Sequence, residues 1–221
     1  MSHPPQQDVY GFDRRPEVAP YVPRSARSVL EIGCGRGGFA RTLRELLGPD
    51  ARLVGVEPVA ESAAAARAAG DLDEVVEGFF PEAVPEERFD LVVVNDVLEH
   101  MLDPWAALRS CHRFLAPGGR VVASLPSIQY APVVWQLLRG RWDYTDDGTL
   151  DRTHVRFFTR ATMVELFETT GYDVERTAGI ASVVDRWATD PLAPRRWLKR
   201  GLARALGDAA YCQFVVVAGP R

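Results

Sequence analysis

Lysine is nearly absent from this chain. Of 26 basic residues, Lys199 is the only lysine and the rest are arginine, a bias read as genomic more than functional. Acidic residues outnumber basic ones, and the net charge of −4 leaves no global basic surface for neutralising phosphates. General nucleic-acid binding is therefore excluded. Cysteine is also scarce. Cys34, Cys111 and Cys212 are widely separated, odd in number and without a CxxC pair, which fits reduced thiols in a cytoplasm. No metal-ligand spacing stands out, so no metal is expected. No segment reaches the roughly 20 apolar residues of a membrane span, and Met1–Gln7 lacks the apolar centre of a signal peptide. What remains is an ordinary soluble composition, 47% hydrophobic and 25% charged over 221 residues. That length suits one α/β domain with an insertion or cap.

The most informative stretch is Val29-Leu30-Glu31-Ile32-Gly33-Cys34-Gly35-Arg36-Gly37-Gly38. An apolar strand runs into a glycine turn that can approach a ligand closely. A helix follows, with Phe39, Leu43, Leu46 and Leu47 on one face and a stop at Gly48-Pro49. Two cofactor classes use such a loop. Gly33, Gly35 and Gly38 satisfy G-x-G-x-x-G, and Glu57 lies near the acidic position expected for a nicotinamide dinucleotide. Glu31 argues against that class, because a carboxylate beside a pyrophosphate in a dry crevice repels it. A phosphate-free, cationic ligand suits Glu31 better. Glu31 to Gly37 resembles the first motif of class I S-adenosylmethionine (SAM) methyltransferases.

Later segments extend the resemblance. Arg52-Leu53-Val54-Gly55-Val56-Glu57-Pro58 reads as a second strand. Glu57 at its end is placed to accept both ribose hydroxyls, with Pro58 beside it. An Ala-rich helix over 60–69 precedes a short strand, Glu74–Glu77. After it, Gly78-Phe79-Phe80 occupies the turn where the family often has an acidic residue for the adenine amino group. The two phenylalanines suggest adenine held by stacking or apolar contact, at least one of them also serving the core. Leu91–Val94 is the apolar run of a central strand, ending in Asn95-Asp96-Val97 at the cofactor crevice. The continuation through Leu98-Glu99-His100 resembles the fourth motif of quinone and small-molecule O-methyltransferases. A helix starts near Asp103-Pro104, with Trp105, Leu108, Cys111 and Leu115 as its inner face. Leu115-Ala116-Pro117-Gly118-Gly119 resembles the family's LxPGG turn, and Arg120–Leu125 is the fifth strand.

Residues 126–158 exceed a bare doubly wound fold. They contain a short helix carrying Val134, Trp135, Leu137 and Leu138, a polar-aromatic loop, and Asp151-Arg152-Thr153-His154-Val155-Arg156-Phe157-Phe158-Thr159. In the resembling family an insertion here forms the acceptor pocket. Thr159 is the expected N-cap of a helix over 160–170. Tyr172–Thr177 and Tyr211–Ala218 complete the strands. The resemblance implies an α/β Rossmann-like sheet of order 3-2-1-4-5-7-6, with the seventh strand antiparallel.

The expected organisation is a leader over 1–27 and a SAM-binding domain over 28–221, with an acceptor-pocket insertion at 126–158 and a cap at 179–209. In the leader, the resemblance implies that Tyr10 and Arg15 lid the methionine end of SAM, the arginine gripping its carboxylate, the other reading being a surface segment with solvated arginines. The basic amphipathic stretch 195–206 is either a cap helix or a membrane-surface contact. His154, oriented by Asp151, is the first candidate for general base and His100 the second. His112 is expected to pack on the surface. The function implied is methyl transfer from SAM to a small-molecule hydroxyl, by a cytoplasmic monomer or homodimer. N- or C-methylation and a non-catalytic SAM-binding partner subunit remain as alternatives.

Overall fold

A computed structural model describes residues 13–183 and 204–221. Seven strands form one sheet in the order β3-β2-β1-β4-β5-β7-β6. They are β1 (Ser28–Ile32), β2 (Arg52–Glu57), β3 (Glu74–Glu77), β4 (Phe89–Asn95), β5 (Leu115–Pro126), β6 (Tyr172–Ser182) and β7 (Tyr211–Pro220). The first five run parallel, and β7 pairs antiparallel with both β5 and β6. The expected order and the reversed last strand are both observed.

The central strands are apolar along their whole length because both of their faces are covered. On one face Leu30, Ile32, Val54, Val56, Val92 and Val94 pack under α3 (Pro104–Cys111) and α5 (Arg160–Thr169). Alternate residues, Val29, Leu53, Leu91 and Val93, meet Phe39, Leu43 and Leu47 of α1 (Gly38–Leu47) on the other. Leader residues Val18, Val22 and Ala26 join this second layer, so the leader from Val18 onward is part of the core. An alanine-rich helix, α2 (Ala60–Ala69), closes the flank beside β3.

Several boundaries move from their expected places. The helix after Pro104 ends at Cys111 and gives way to a 3₁₀ turn over His112–Phe114. Leu115 already pairs with Phe89, across an irregularity in the β4–β5 register. The LxPGG segment is thus the start of β5. Trp105 does not face inward. It is 37% exposed, because Pro104, Ala107, Leu108 and Cys111 already fill the buried face of the helix. β6 continues to Ser182, since its pairing with β7 extends as far as Tyr211. Four residues assigned to the cap therefore belong to the sheet. Thr159 caps α5 as expected, in a reciprocal box with Thr162. His112 packs as expected, with Nε2 2.8 Å from the Thr170 carbonyl and its ring stacked on Tyr172.

The insertion after β5 carries α4 (Ala131–Leu138) and a small core of Tyr130, Val133, Leu150 and Val183. Trp135, Leu137 and Leu138 of α4 are exposed. Tyr10 and most of 195–206 lie outside the described residues. Among the described residues no helix is long and apolar enough to cross a membrane.

Candidate active site

The strand order reverses between β1 and β4, and a crevice opens at the carboxyl ends of such a switch point. Here it is a cavity of about 490 Å³. β1 delivers Glu31, Gly33, Cys34 and Gly35; β2 delivers Glu57 and Pro58; β4 delivers Asn95, Asp96 and Val97. Arg15 comes from the leader, and His100 from the 3₁₀ turn over Leu98–His100.

The turn is built for close approach. Gly35 has φ +53°, and a Cβ there would meet nothing within 4 Å except the open cavity. Its N–H donates to Glu57 Oε2 at 3.0 Å, and Val59 N–H donates to Glu57 Oε1 at 3.0 Å. Both oxygens of Glu57 are thereby aimed, and each keeps a lone pair for a further donor. Gly37 does not line the cavity; it backs onto Ala66 of α2 instead.

Glu31 is 3% exposed, and its Oε2 has no hydrogen-bond partner among the described residues. Burial, reinforced by the neighbouring Glu57, pushes its carboxyl up to about 8. Glu31, with its unpartnered Oε2, lines the cavity, and a cationic ligand beside it would favour the charged carboxylate. Burial, with Glu31 and Glu57 adding to it, likewise drives the Cys34 thiol upward, so this cysteine is no nucleophile.

At the far end the Arg15 guanidinium is fully engaged. It bonds Asp96 Oδ2, donates to Glu17 Oε1 at 2.7 Å and Gln213 Oε1 at 2.9 Å, and reaches Ser124 Oγ at 3.3 Å. Asp96 also accepts from Ser124 Oγ and Gln213 Nε2, both at 3.1 Å.

The two candidate histidines occupy different layers. His100 borders the cavity together with Thr153. Burial and then the nearby His154 lower the His100 imidazole below its usual range, favouring the neutral ring. His154 is 8% exposed and does not line the cavity; its Nδ1 is 3.1 Å from the Thr149 carbonyl. The Asp151 backbone carbonyl accepts from His154 N–H at 3.0 Å, while its side chain is directed to Thr153. It is buried and accepts from Thr153 Oγ1 at 2.6 Å and Thr153 N–H at 2.8 Å. Thr153 Oγ1 lies 3.1 Å from His100 Nδ1, so Asp151 reaches His100 through this threonine.

Gly78, Phe79 and Phe80 are not among the cavity's lining residues. Phe79 is 74% exposed, while Phe80 packs on Phe114 at 5.5 Å between ring centroids. The residues that the sequence argument missed are Asp13, Arg36, Phe39, Val59, Ser62 and Thr153. Ser62 had a signal of sorts, lying one helical turn past Val59 at the start of α2. The others carried none separable from packing.

Residues 7–177 match the model of a methyltransferase domain family. A probable S-adenosylmethionine-dependent methyltransferase from Mycolicibacterium smegmatis is 32% identical over 85% of this chain and 68% of its own length. A ubiquinone biosynthesis O-methyltransferase from Bradyrhizobium diazoefficiens is 35% identical, over only 43% of this chain and 38% of that protein. The crystal structure of an S-adenosylmethionine-dependent methyltransferase from Mesorhizobium loti superposes with a TM-score of 0.64. It covers 93% of this chain and 96% of that one at 21% identity, a likeness of fold. With a family model matching most of its length and a relative 32% identical over 68% of that protein, the chain belongs to the class I SAM-dependent methyltransferases.

Proposed function

We propose that the enzyme methylates a hydroxyl oxygen on a small-molecule acceptor. The observation that carries this reading is the His100–Thr153 edge of the cavity, a neutral imidazole and a hydroxyl bordering the space that holds the donor. The O-methyltransferase relative, matched over part of its length, is in keeping with it. SAM supplies a methyl group on a sulfonium that is already an excellent leaving group. The protein's task is then to position the acceptor and remove its proton.

Glu57 takes the ribose hydroxyls, and Glu31 answers the donor's positive charge. The Asn95–Val97 turn, held by Arg15, shapes the remaining wall. Residues 126–158 are the acceptor side of the domain, reaching the cavity through Thr153. His100 is the ring that meets the acceptor and the candidate for taking its proton. His154 acts from the layer behind it. Phe79 and Phe80 hold adenine only if the turn after β3 shifts toward the crevice.

The test is release of S-adenosylhomocysteine from SAM with matched phenol, alcohol and amine acceptors. Turnover is expected with the hydroxyl compounds and its loss in His100→Ala, with SAM affinity within a few-fold of the parent. Turnover confined to amines would replace this reading with N-methylation. Tight SAM binding with no turnover on any acceptor would favour a non-catalytic partner subunit.

A further inference from the structure

Behind the His100 edge lie donor atoms of Glu99 and His154 to which the methyl transfer described above gives no chemical step. Glu99 is 1% exposed, and neither of its carboxylate oxygens has a hydrogen-bond partner among the described residues. A buried carboxylate left this way costs far more than an ordinary buried polar group. His154 Nε2 stands 3.9 Å from Glu99 Oε1, too far for a hydrogen bond. One donor atom each from Glu99, His100 and His154 falls within 4.8 Å of the others. The cluster is built, since the Val155 and Arg156 N–H groups donate to the Glu99 carbonyl at 2.9 and 3.0 Å. That pairing pins the turn over Leu98–His100 against the segment carrying His154.

The surrounding hydrogen bonds aim both rings. The Thr149 carbonyl can only accept, so His154 Nδ1 carries a hydrogen and the neutral ring turns its Nε2 lone pair toward Glu99. Thr153 Oγ1 spends its single hydrogen on Asp151, so its oxygen accepts from His100 Nδ1–H and Nε2 bears the lone pair of that ring too. Two imidazoles fixed through Nδ1, one by a backbone carbonyl and one by a hydroxyl–carboxylate pair, are the outer-shell arrangement of ligating histidines. A lone pair pointing at a carboxylate is repulsive unless a proton or a metal cation lies between them.

We propose that Glu99, His100 and His154 bind a divalent transition-metal ion of the zinc, cobalt or iron(II) type. Two imidazoles and one carboxylate suit such an ion better than magnesium or calcium. Bonds of about 2.1 Å place two ligands of one ion roughly 3.4 Å apart, so the 3.9 Å gap closes by about half an ångström. His100 borders the cavity, so the ion's open position faces the acceptor space. Only this last statement rests on the O-methylation reading. There the ion would bind the acceptor oxygen and lower its pKa, the proton passing to solvent, and His100 would serve as ligand in place of base.

The experiment is titration of chelator-stripped protein with Co²⁺ and Zn²⁺, without acceptor, followed by the visible Co²⁺ spectrum and by X-ray absorption at the zinc edge. One equivalent is expected, with two imidazoles and oxygen as ligands. Glu99→Gln and His154→Gln should each weaken binding about 100-fold or more, and Thr153→Val about 10-fold through its hold on His100. SAM affinity of Glu99→Gln and His154→Gln, which do not line the cavity, should change little in calorimetry and shows that these variants are folded. No saturable binding to the wild-type protein would overturn the proposal, leaving an imidazole–carboxylate ion pair. Sulfur ligation, or equal affinity in folded variants, would overturn it equally. Because no acceptor is present, failure here leaves the O-methylation reading standing, and failure of that reading leaves the site.

Discussion

Glu31 and Glu57 lie on adjacent strands and crowd each other electrostatically, so the empty crevice resists carrying both charges. The Glu31 carboxyl rises from its ordinary 4.5 to about 8, which means the folded state holds its proton more tightly than the unfolded chain does. A raised acid favours the fold fully below the unfolded value and loses that advantage as pH climbs through the folded one. Without SAM, stability to urea should therefore fall between about pH 5 and 8 from this group, and Glu31→Gln should flatten the slope. SAM reverses the balance, because a cation beside Glu31 favours its charged form. Binding near pH 7 should release protons, seen as heats that differ between phosphate and Tris buffers; identical heats would remove Glu31 from the donor site. Glu57 has another task. Glu57→Ala removes the candidate ribose contacts along with the partner of Gly35 N–H, and should raise the SAM dissociation constant by about 10- to 100-fold. Unchanged affinity in calorimetry would overturn the ribose assignment. Both carboxylates were legible in the sequence because each ends or interrupts an apolar run where a charge has no packing reason to be. Glu99 was not, since its chemistry depends on His154, which is distant in sequence.

The glycine loop and the first turn of α1 show how an element can serve two neighbours. A Cβ on Gly38 would lie 2.6 Å from the backbone nitrogen of Asp13, so this cavity-lining glycine also makes room for the leader. Gly38→Ala should push Asp13–Arg15 away from the crevice and weaken SAM binding, while the thermal midpoint moves by only a few degrees. A comparable loss of both would mean that the leader and the sheet unfold as one. The cap of α5 is a simpler device. Thr159→Ala removes the acceptor for Thr162 N–H and should cost about 1 kcal/mol in urea denaturation. Elements of this kind are readable because their signals are local: a run of valines, a threonine ahead of an apolar helix, a glycine after it. Trp105 and the ends of β5 and β6 were misread for the opposite reason. The start of β5 depends on its pairing with β4 and the end of β6 on its pairing with β7, while the buried face of α3 depends on what already fills the core.

Over the whole molecule, one polar network ties the start of the described chain to its last strand. Arg15 in the leader joins Asp96 after β4, Ser124 in β5 and Gln213 in β7. The sheet order was implied by the resemblance to a known family, but this clasp was not legible, because its members share no spacing. Arg15 and Asp96 both hold left-handed backbone, at φ +45° and +52°, and a non-glycine residue keeps such a conformation only when its surroundings impose it. The resemblance implied that Arg15 grips the SAM carboxylate. Its bonds to Asp96, Glu17, Ser124 and Gln213 argue that it first holds the cofactor's wall together. The two roles separate in Arg15→Ala. A residue that only contacts the cofactor would lower SAM affinity and leave the empty protein as stable as before. A clasp that leaves Asp96 without its cation, 23% exposed by its side chain, should also cost about 2 kcal/mol in urea denaturation without SAM. Both losses are expected here, with SAM affinity falling about 10-fold as the Asn95–Val97 turn loosens. Arg15→Lys should restore little, because one ammonium cannot span Asp96, Glu17 and Gln213 as the planar fork does. Full stability in Arg15→Ala would return this residue to the role of a simple carboxylate grip.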